Sequence, residues 1–217
     1  MRAILPLLLC CCTTPSNNPG INSVFLEADD ATILEFVERF EGESREISAL
    51  RNEILDALEI QPGDVIADIG AGTGLFEPLF HNAVGADGTV YAVDIAPKMV
   101  EYLQHRVDEE LLSTVEVIQC TQTSAKLPAS SCDIIFICDT YHHFEYPNKS
   151  MQDIYRSLKP GGKLCVVDFV RIEGQSRDWI LNHVRCGQET VVEEIVNNGF
   201  HYLGQCEATG LKENYMI

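Results

Sequence analysis

Short apolar runs alternate with amphipathic stretches along the chain from residue 65 onward. Five runs predict strands, at residues 65–70, 89–95, 114–120, 133–139 and 163–170. Several are apolar on both faces, and strands of that kind, when helices separate them, form a parallel sheet covered by helices on both sides. Two further strand candidates, residues 201–207 and 213–217, are joined by a short loop and predict an antiparallel hairpin at one sheet edge.

Apolar side chains at helical spacing predict the helices. Residues 29–41 and Ser44–Leu58 each carry one apolar face, and both precede the first strand. We expect residues 23–60 to form an N-terminal helical cover within a domain that spans residues 23–217. Later helices are predicted between and after the strands, at residues 97–107, 148–158, 176–185 and 189–198, with Asn148 as an N-cap.

Residues 1–22 differ from the rest and are predicted to be a leader and linker. An apolar run, Ala3–Leu9, precedes three consecutive cysteines at 10–12 and is too short to span a bilayer. It resembles a weak secretory or bacterial lipoprotein signal, although Leu or Cys stands where a small residue should precede the cleavage site. The alternative is a cytosolic leader or a misassigned start. Localisation is therefore left open between the cytoplasm and a membrane-anchored or exported state.

Charge and cysteine usage exclude several classes of protein. The 217 residues carry a net charge of −18, which disfavours nucleic acid and anionic membrane surfaces as partners. The six cysteines beyond the leader form no CxxC pair, so we predict neither a disulfide framework nor a metal site and expect the thiols to fill core positions. The oligomeric state is not indicated by the sequence.

A glycine loop follows the first predicted strand. Its residues are Gly70, Ala71, Gly72, Thr73 and Gly74. Ligands of parallel sheets bind at the carboxyl ends of the strands, near the first strand. The loop reads G-x-G-x-G rather than the dinucleotide pattern G-x-G-x-x-G, which disfavours NAD.

Two carboxylates accompany the loop. Asp68 stands two residues before the first glycine, where it suits a ligand that carries an ammonium group. Asp94 follows Gly74 by twenty residues, at the end of the second strand, where a carboxylate accepts hydrogen bonds from ribose hydroxyls. Loop and acids together predict an adenosine-type ligand. The alternative is a tight turn beside a solvated aspartate.

Four segments resemble the signature segments of class I S-adenosylmethionine-dependent methyltransferases: VIADIGAGTG, VYAVDIAPKM, LPASSCDIIFICDTYHHF and LKPGGKLCVVDF. The resemblance covers residues 45–217. It implies a Rossmann-like, doubly wound, three-layer α/β/α fold with a seven-stranded sheet, mostly parallel, whose last strand is antiparallel. It also implies that the glycines approach the methionine and ribose parts of the cofactor S-adenosylmethionine, that Asp68 lies near the methionine amino group and that Asp94 holds the ribose.

The sequence departs from the family pattern at the adenine site. Family members often carry an acid after the third strand, and here Thr123 or Ser124 occupies that position. A hydroxyl accepts one hydrogen bond, so we expect adenine contacts to depend more on the backbone and on neighbours such as Ile95.

The segment after the fourth strand carries the candidate catalytic groups. It delivers Asp139, Tyr141, His142 and His143 to the reactive end of the cofactor. Histidine is the natural proton acceptor near neutral pH, so His142 or His143 is the candidate base, and Tyr141 is expected to line the pocket. The alternative is that these side chains pack the loop and that Asp139 caps the strand end.

Two stretches are expected to cover the substrate side, residues 42–47 and residues 179–190. The second offers Trp179, His183 and Arg185. For Trp179 the favoured interpretation is packing, and for Arg185 it is a surface ion pair.

The resulting hypothesis is an S-adenosylmethionine-dependent methyltransferase that acts on a small molecule. The main alternative is a catalytically inactive S-adenosylmethionine-binding module, such as a sensor or a module anchored in the cell envelope. A nicotinamide-dependent oxidoreductase is opposed by the glycine spacing. An arsenic-type thiol methyltransferase is opposed by the absence of a close cysteine pair outside the leader.

Overall fold

The computed structural model describes residues 21–42, 45–207 and 209–217. The predicted leader, apart from residues 21 and 22, lies outside these residues. Within them, no helix is both long enough and apolar enough to span a bilayer.

Within the described residues the chain forms a sheet of six strands with helices on both faces, and the predicted α/β class is confirmed. The strands are β1 (Val65–Ile69), β2 (Thr89–Asp94), β3 (Val115–Gln119), β4 (Cys132–Cys138), β5 (Leu158–Phe169) and β6 (Asn214–Met216). Their order is β3-β2-β1-β4-β5-β6. All neighbours are parallel except β5 and β6, which are antiparallel. The order reverses between β1 and β4, so their carboxyl ends flank a topological switch point.

The helices of the described residues are α1 (Ser23–Leu26), α2 (Asp30–Glu41), α3 (Glu46–Ala49), α4 (Arg51–Leu58), α5 (Glu77–Val84), α6 (Pro97–Glu109), α7 (Pro147–Ser157), α8 (Asp178–His183) and α9 (Gln188–Val196). A short 3₁₀ helix, Tyr141–His143, follows β4. Helix α2 begins as its sequence predicts, since the Asp29 carboxylate accepts a hydrogen bond from the Thr32 amide at 2.9 Å.

The prediction of seven strands is wrong by one strand. Residues 201–207 form no strand, and one backbone hydrogen bond, from the Cys206 amide to the Met216 carbonyl at 2.8 Å, joins this stretch to β6. Gly204 adopts a φ of +136°, which departs from the extended conformation that a strand needs. Strand β6 is also only three residues long and offers a short edge for pairing.

Two helix predictions need correction. The single helix expected at Ser44–Leu58 is two helices, α3 and α4, separated at Leu50, where ψ is +20°. This break lets α3 reach the carboxyl edge of the sheet, where its side chains contact the last strand. Helix α7 begins at Pro147, so Asn148 lies inside the helix and is not its cap.

Two apolar layers hold the sheet between its helices. On one face Phe76, Phe80 and Phe136 meet in edge-to-face and stacked pairs, with ring centroids 4.9–5.5 Å apart. The other face buries Ile135 and Ile137 of β4 among residues of α7 and α9. A smaller cluster packs α2 of the cover against α6, which brings the N-terminal helices over the switch point.

Candidate active site

The glycine loop and the end of β2 are joined by a hydrogen bond. The Gly72 amide donates to Oδ2 of Asp94 at 2.9 Å, and the Ala96 amide donates to Oδ1 at 2.8 Å. Burial raises the pKa of Asp94, and the hydrogen bonds from Ala96 and Gly72 partly offset that rise. A carboxylate has about four acceptor sites, so Asp94 keeps acceptor capacity for a ligand. We call the Gly72 backbone and the Asp94 carboxylate the cradle.

The three glycines of the loop have different surroundings. A Cβ atom at Gly70 would lie 2.3 Å from Cγ2 of Thr140, and one at Gly74 would lie 2.9 Å from Cδ2 of Leu103. These two glycines therefore allow close packing within the protein. At Gly72 the nearest atom to a Cβ would be the Gly70 carbonyl oxygen, 3.8 Å away. The space beside Gly72 is open to a ligand.

A cavity of about 600 Å³ extends from the cradle to the end of β5. Its wall includes most of the predicted site residues, namely Asp68, Gly70, Ala71, Gly72, Thr73, Asp94, Ile95, Ser124, Asp139, His142 and His143. Three predicted residues, Gly74, Thr123 and Tyr141, do not line it. Of the two hydroxyl candidates at the adenine site, only Ser124 faces the cavity.

Asp68 has a buried acidic neighbour that the sequence analysis did not single out. Glu77, the first residue of α5, is 1% exposed, and its carboxyl group lies within hydrogen-bond reach of that of Asp68 but has no other partner among the described residues. Burial and the charge of Glu77 raise the pKa of Asp68 well above its usual range. Burial likewise raises the pKa of Glu77 to about 7. Two buried carboxyls beside each other favour a shared proton or a cationic ligand.

Asp139 connects three parts of the chain at the cavity wall. Its carboxylate pairs with Arg45 of the N-terminal cover and accepts a hydrogen bond from Nδ2 of Asn214 in β6 at 2.6 Å. Burial raises the pKa of Asp139 to about 6, against the opposing effect of Arg45. Both of its oxygens are thus used within the protein. Asp139 was predicted as a cofactor-binding residue, and its observed contacts join the N-terminal cover to the sheet. We call the Arg45–Asp139 ion pair the clamp.

Tyr141 points away from the cavity, which differs from the expectation that it lines the pocket. Its ring is fully buried against Phe144 on the face covered by α9, and its hydroxyl donates to Oε2 of Glu194 at 3.1 Å. Burial and the charge of Glu194 raise the pKa of Tyr141 far above its usual range. The 3₁₀ turn that begins at Tyr141 gives successive side chains different directions, so the two histidines face the cavity while the tyrosine does not.

His142, His143 and His183 form a cluster in the wall of the same cavity, and we call it the histidine cluster. The ring centroids of His142 and His143 are 4.3 Å apart, and each is 5.1 Å from that of His183. One ligand-capable nitrogen of each lies within 4.8 Å of the other two. Burial and the neighbouring imidazoles lower the pKa of His143 to about 3 and lower that of His183. The rings of these two residues are therefore uncharged at neutral pH.

Asp168, which the sequence analysis missed, orients His142. Its Oδ1 lies 2.7 Å from Nδ1 of His142, and its Oδ2 accepts from the His142 amide at 3.0 Å. Both side chains are almost fully buried. The carboxylate selects the tautomer with the proton on Nδ1, which leaves the lone pair on Nε2. Asp168 ends β5 beside the predicted site, so its position at the carboxyl edge of the sheet was the available signal.

The two predicted covering stretches lie on the cavity to different extents. Residues 43 and 44 are outside the described part, while Arg45 and Glu46 line the wall. Glu46 belongs to the predicted covering stretch, and its carboxylate accepts hydrogen bonds from the amides of residues 212–214 at 2.6–3.0 Å. This bond set attaches α3 to the start of β6.

In the second covering stretch Trp179 and His183 line the cavity, and Arg185 does not. The Trp179 ring stacks on His183 at 4.9 Å and meets Phe169 edge to face at 5.3 Å. Arg185 makes a bidentate ion pair with Glu194, both distances being 2.7 Å. Arg185 thus has the ion-pair role that the sequence favoured.

The cysteines of the described residues are free thiols. Cys120 and Cys138 line the cavity, and burial raises the pKa of the first to about 12 and of the second well above its usual range. Thiols of such high pKa carry little thiolate at neutral pH and are poor nucleophiles and ligands.

The fold and site together define a Rossmann-like protein whose cradle lies at the carboxyl ends of β1 and β2, beside the switch point. Residues 67–166 match the profile of the methyltransferase domain family. Over this stretch, a little less than half of the chain, the protein is similar to methyltransferase domains.

The proteins that are similar in sequence include two kinds of methyltransferase. The phosphoethanolamine N-methyltransferase of Triticum aestivum is 28% identical over 156 residues, which are 69% of this chain and 30% of that protein. The ubiquinone/menaquinone biosynthesis C-methyltransferase UbiE of Methylococcus capsulatus is 30% identical over 122 residues, 56% of this chain and 49% of that protein. The matches thus span less than half the length of either relative.

Solved structures share the fold at lower identity. A methyltransferase from Aquifex aeolicus described as SAM-dependent superposes with a TM-score of 0.74 at 22% identity, over 88% of this chain and 97% of that one. Phosphoethanolamine N-methyltransferase 2 of Haemonchus contortus, in complex with S-adenosyl-L-methionine, gives a TM-score of 0.68 at 20% identity, over 86% of this chain and 46% of that one.

Proposed function

We propose that the protein is a methyltransferase that uses S-adenosylmethionine as methyl donor and a small molecule as acceptor. One observation carries the proposal: the cradle and the histidine cluster line the same cavity. The family match supports the donor. The phosphoethanolamine and quinone-pathway methyltransferases among the similar proteins support a small acceptor.

The residues around the cradle fit the parts of this donor. Burial and Glu77 raise the pKa of Asp68, and the ammonium group of the methionine part would favour its ionised form and bind to it. Asp94 retains acceptor sites for the two ribose hydroxyls. Ile95 and Ser124 line the wall where adenine would lie and offer an apolar surface and one hydroxyl. The open side of Gly72 lets the backbone approach the ligand.

Bound S-adenosylmethionine supplies an electrophilic methyl group, and its transfer breaks the carbon–sulfur bond with the electron pair remaining on sulfur. The chain must align the acceptor with that methyl group and take up the acceptor's proton where it has one. We assign proton uptake to His142 in preference to His143: both line the cavity, but the lowered pKa of His143 makes its ring the weaker base. Asp168 is a positioning residue, because it fixes the tautomer of His142.

The N-terminal cover contributes by excluding water. Arg45 and Glu46 join the cover to Asp139 and to β6, directly over the cavity wall. A closed cavity strengthens the interaction between buried carboxylates and a cationic ligand, because the local dielectric constant is low.

The proposal is tested by incubating the full chain with methyl-labelled S-adenosylmethionine and a small-molecule extract of the native host. We expect label to move into the small-molecule fraction and to be lost with Asp94→Ala. Binding of the donor without transfer to any fraction would favour the inactive binding module. A protein that binds NADH and not S-adenosylmethionine would contradict the proposal.

The assignment of the histidines is tested separately with the variant His142→Ala/His143→Ala. Loss of a general base slows transfer about 10²–10⁴-fold, while donor affinity at the cradle should stay close to that of the wild type. Retained turnover would exclude an imidazole base.

A further inference from the structure

We propose that the histidine cluster is a binding site for one divalent transition-metal ion, most suitably Zn²⁺. The site would use one nitrogen each of His142, His143 and His183 as ligands. Its existence does not depend on the proposed function, although its role in catalysis does. No metal site was predicted from the sequence, because His183 is forty positions beyond His143 and the three residues form no closely spaced ligand motif.

The geometry of the cluster carries the proposal. One ligand-capable nitrogen of each histidine lies within 4.8 Å of the other two. Zinc–nitrogen bonds of about 2.0–2.1 Å place tetrahedral ligand atoms about 3.4 Å apart, so binding requires the nitrogens to approach by up to about 1.4 Å. His183 is the last residue of the six-residue helix α8, and His143 ends the 3₁₀ turn, so both lie at the ends of short elements where small shifts suffice.

One buried ring atom of the cluster is available to a ligand. Nδ1 of His143 is buried and has no hydrogen-bond partner among the described residues, which leaves its hydrogen-bonding capacity unused. Neutral imidazole is the form that coordinates metals, and sets of imidazoles suit zinc, copper, iron and nickel.

Asp168 supplies the second requirement of a histidine metal site. Ligating histidines usually donate their other ring N–H to a carboxylate, which fixes the ring and raises its basicity. Asp168 accepts from Nδ1 of His142 at 2.7 Å, so Nε2 is the nitrogen left for a metal. Phe169 and Trp179 meet His142 and His183 at 5.7 and 4.9 Å and shield the cluster with aromatic surface.

Three protein ligands leave one coordination position for water or an acceptor atom. Because the cluster lines the same cavity as the cradle, a bound metal would lower the pKa of a coordinated acceptor hydroxyl or thiol. The metal would then take the place of the imidazole base, because metal binding and proton uptake use the same nitrogen lone pairs. This catalytic role of the metal rests on the proposed function.

The experiment uses the untagged full chain, freed of metal with a chelator and titrated with Co²⁺, a spectroscopic substitute for zinc. We expect one Co²⁺ per chain, visible absorption of a low-symmetry site that Zn²⁺ displaces, and quenching of the fluorescence of Trp179, the single tryptophan. His183→Ala should weaken Co²⁺ binding more than tenfold, and Asp168→Asn about 10–100-fold. The matched control is His105→Ala, whose side chain is exposed on α6.

Each outcome decides for or against the site. Stoichiometric binding that His183→Ala weakens and His105→Ala leaves unchanged supports it. No binding by the wild type, or equal binding by wild type and His183→Ala, overturns it, and circular dichroism confirms that each variant is folded. Calorimetry of S-adenosylmethionine on the same metal-free sample distinguishes failure of this site from failure of the proposed function, because the cradle contains none of the three histidines.

Discussion

The amide of Gly72 and the carboxylate of Asp94 lie 2.9 Å apart, although twenty-two positions separate the two residues. Because β1 and β2 are parallel neighbours with Asp68 in register with Ala92, the loop after β1 meets the end of β2. The hydrogen bond fixes the loop against the carboxylate before any ligand is present. A preformed arrangement of this kind reduces the ordering cost of binding.

The open space beside Gly72 predicts that a methyl group added at this residue weakens donor binding. Gly72 has a φ of +57°, so Gly72→Ala should cost about 1–2 kcal/mol of folding free energy from the left-handed backbone alone. The new Cβ would also occupy the space where the ligand approaches, so donor affinity should fall. Thermal denaturation and calorimetry measure the two effects.

Gly161→Ala is the matched control for that variant. Gly161 has a φ of +83°, no atom within 4 Å of an added Cβ, and no place in the cavity wall. We expect a similar loss of stability and unchanged donor affinity. Equal losses of affinity in both variants would show that Gly72 acts through stability and not through the ligand space.

The buried acids predict a dependence of stability on pH. The folded-state pKa of Glu77 is about 7, above its ordinary value of 4.5, and that of Asp68 is also raised. Folding therefore favours protonated Glu77, and this stabilisation is complete below about pH 4.5 and is lost as the pH rises through about 7. Urea unfolding at several pH values measures it.

Glu77→Gln should flatten that dependence, because an amide has no proton to lose. The difference in unfolding free energy between pH 5 and pH 7.5 should fall by about 1–3 kcal/mol relative to the wild type. Glu38→Gln, on the exposed face of α2, is the control and should leave the profile unchanged. An identical profile for wild type and Glu77→Gln would contradict the placement of this carboxyl in the core.

The clamp between Arg45 and Asp139 predicts a stability loss that an exposed pair does not show. Arg45→Ala leaves a buried carboxylate that keeps only its bond to Asn214, and we expect a loss of about 2–4 kcal/mol. Arg177→Ala, which removes a pair with Glu213 at the surface, should cost less than about 1 kcal/mol. Denaturant titration compares the two, and equal losses would exclude the clamp.

The sequence predicted those parts of the molecule that depend on short-range pattern. Apolar runs gave the positions of β1 to β5, and glycines with an acid at the next strand end predicted that Gly72 and Asp94 lie together. Parallel pairing brings the ends of neighbouring strands to one edge, so strand order alone was enough for this part of the site.

The remaining features depend on contacts that no local pattern encodes. The break at Leu50, the direction of Tyr141 and the partners of Asp139 are set by packing between elements distant in sequence. The unpaired stretch 201–207 has the alternation of a strand but lacks a long enough neighbour. Asp168 was missed because its role becomes visible only with His142 beside it.

The most direct measurement is calorimetric titration of the wild type, Asp94→Ala and Asp87→Ala with S-adenosylmethionine. Asp87 is exposed in the loop that precedes the first residue of β2, whereas Asp94 is the last residue of that strand, so Asp87→Ala is the matched control. We expect the wild type and Asp87→Ala to bind alike and Asp94→Ala to lose about 1–3 kcal/mol, the cost of unpaired polar groups at a buried site. Equal binding by all three proteins, or no binding by the wild type, would contradict a donor site at the Gly72–Asp94 cradle.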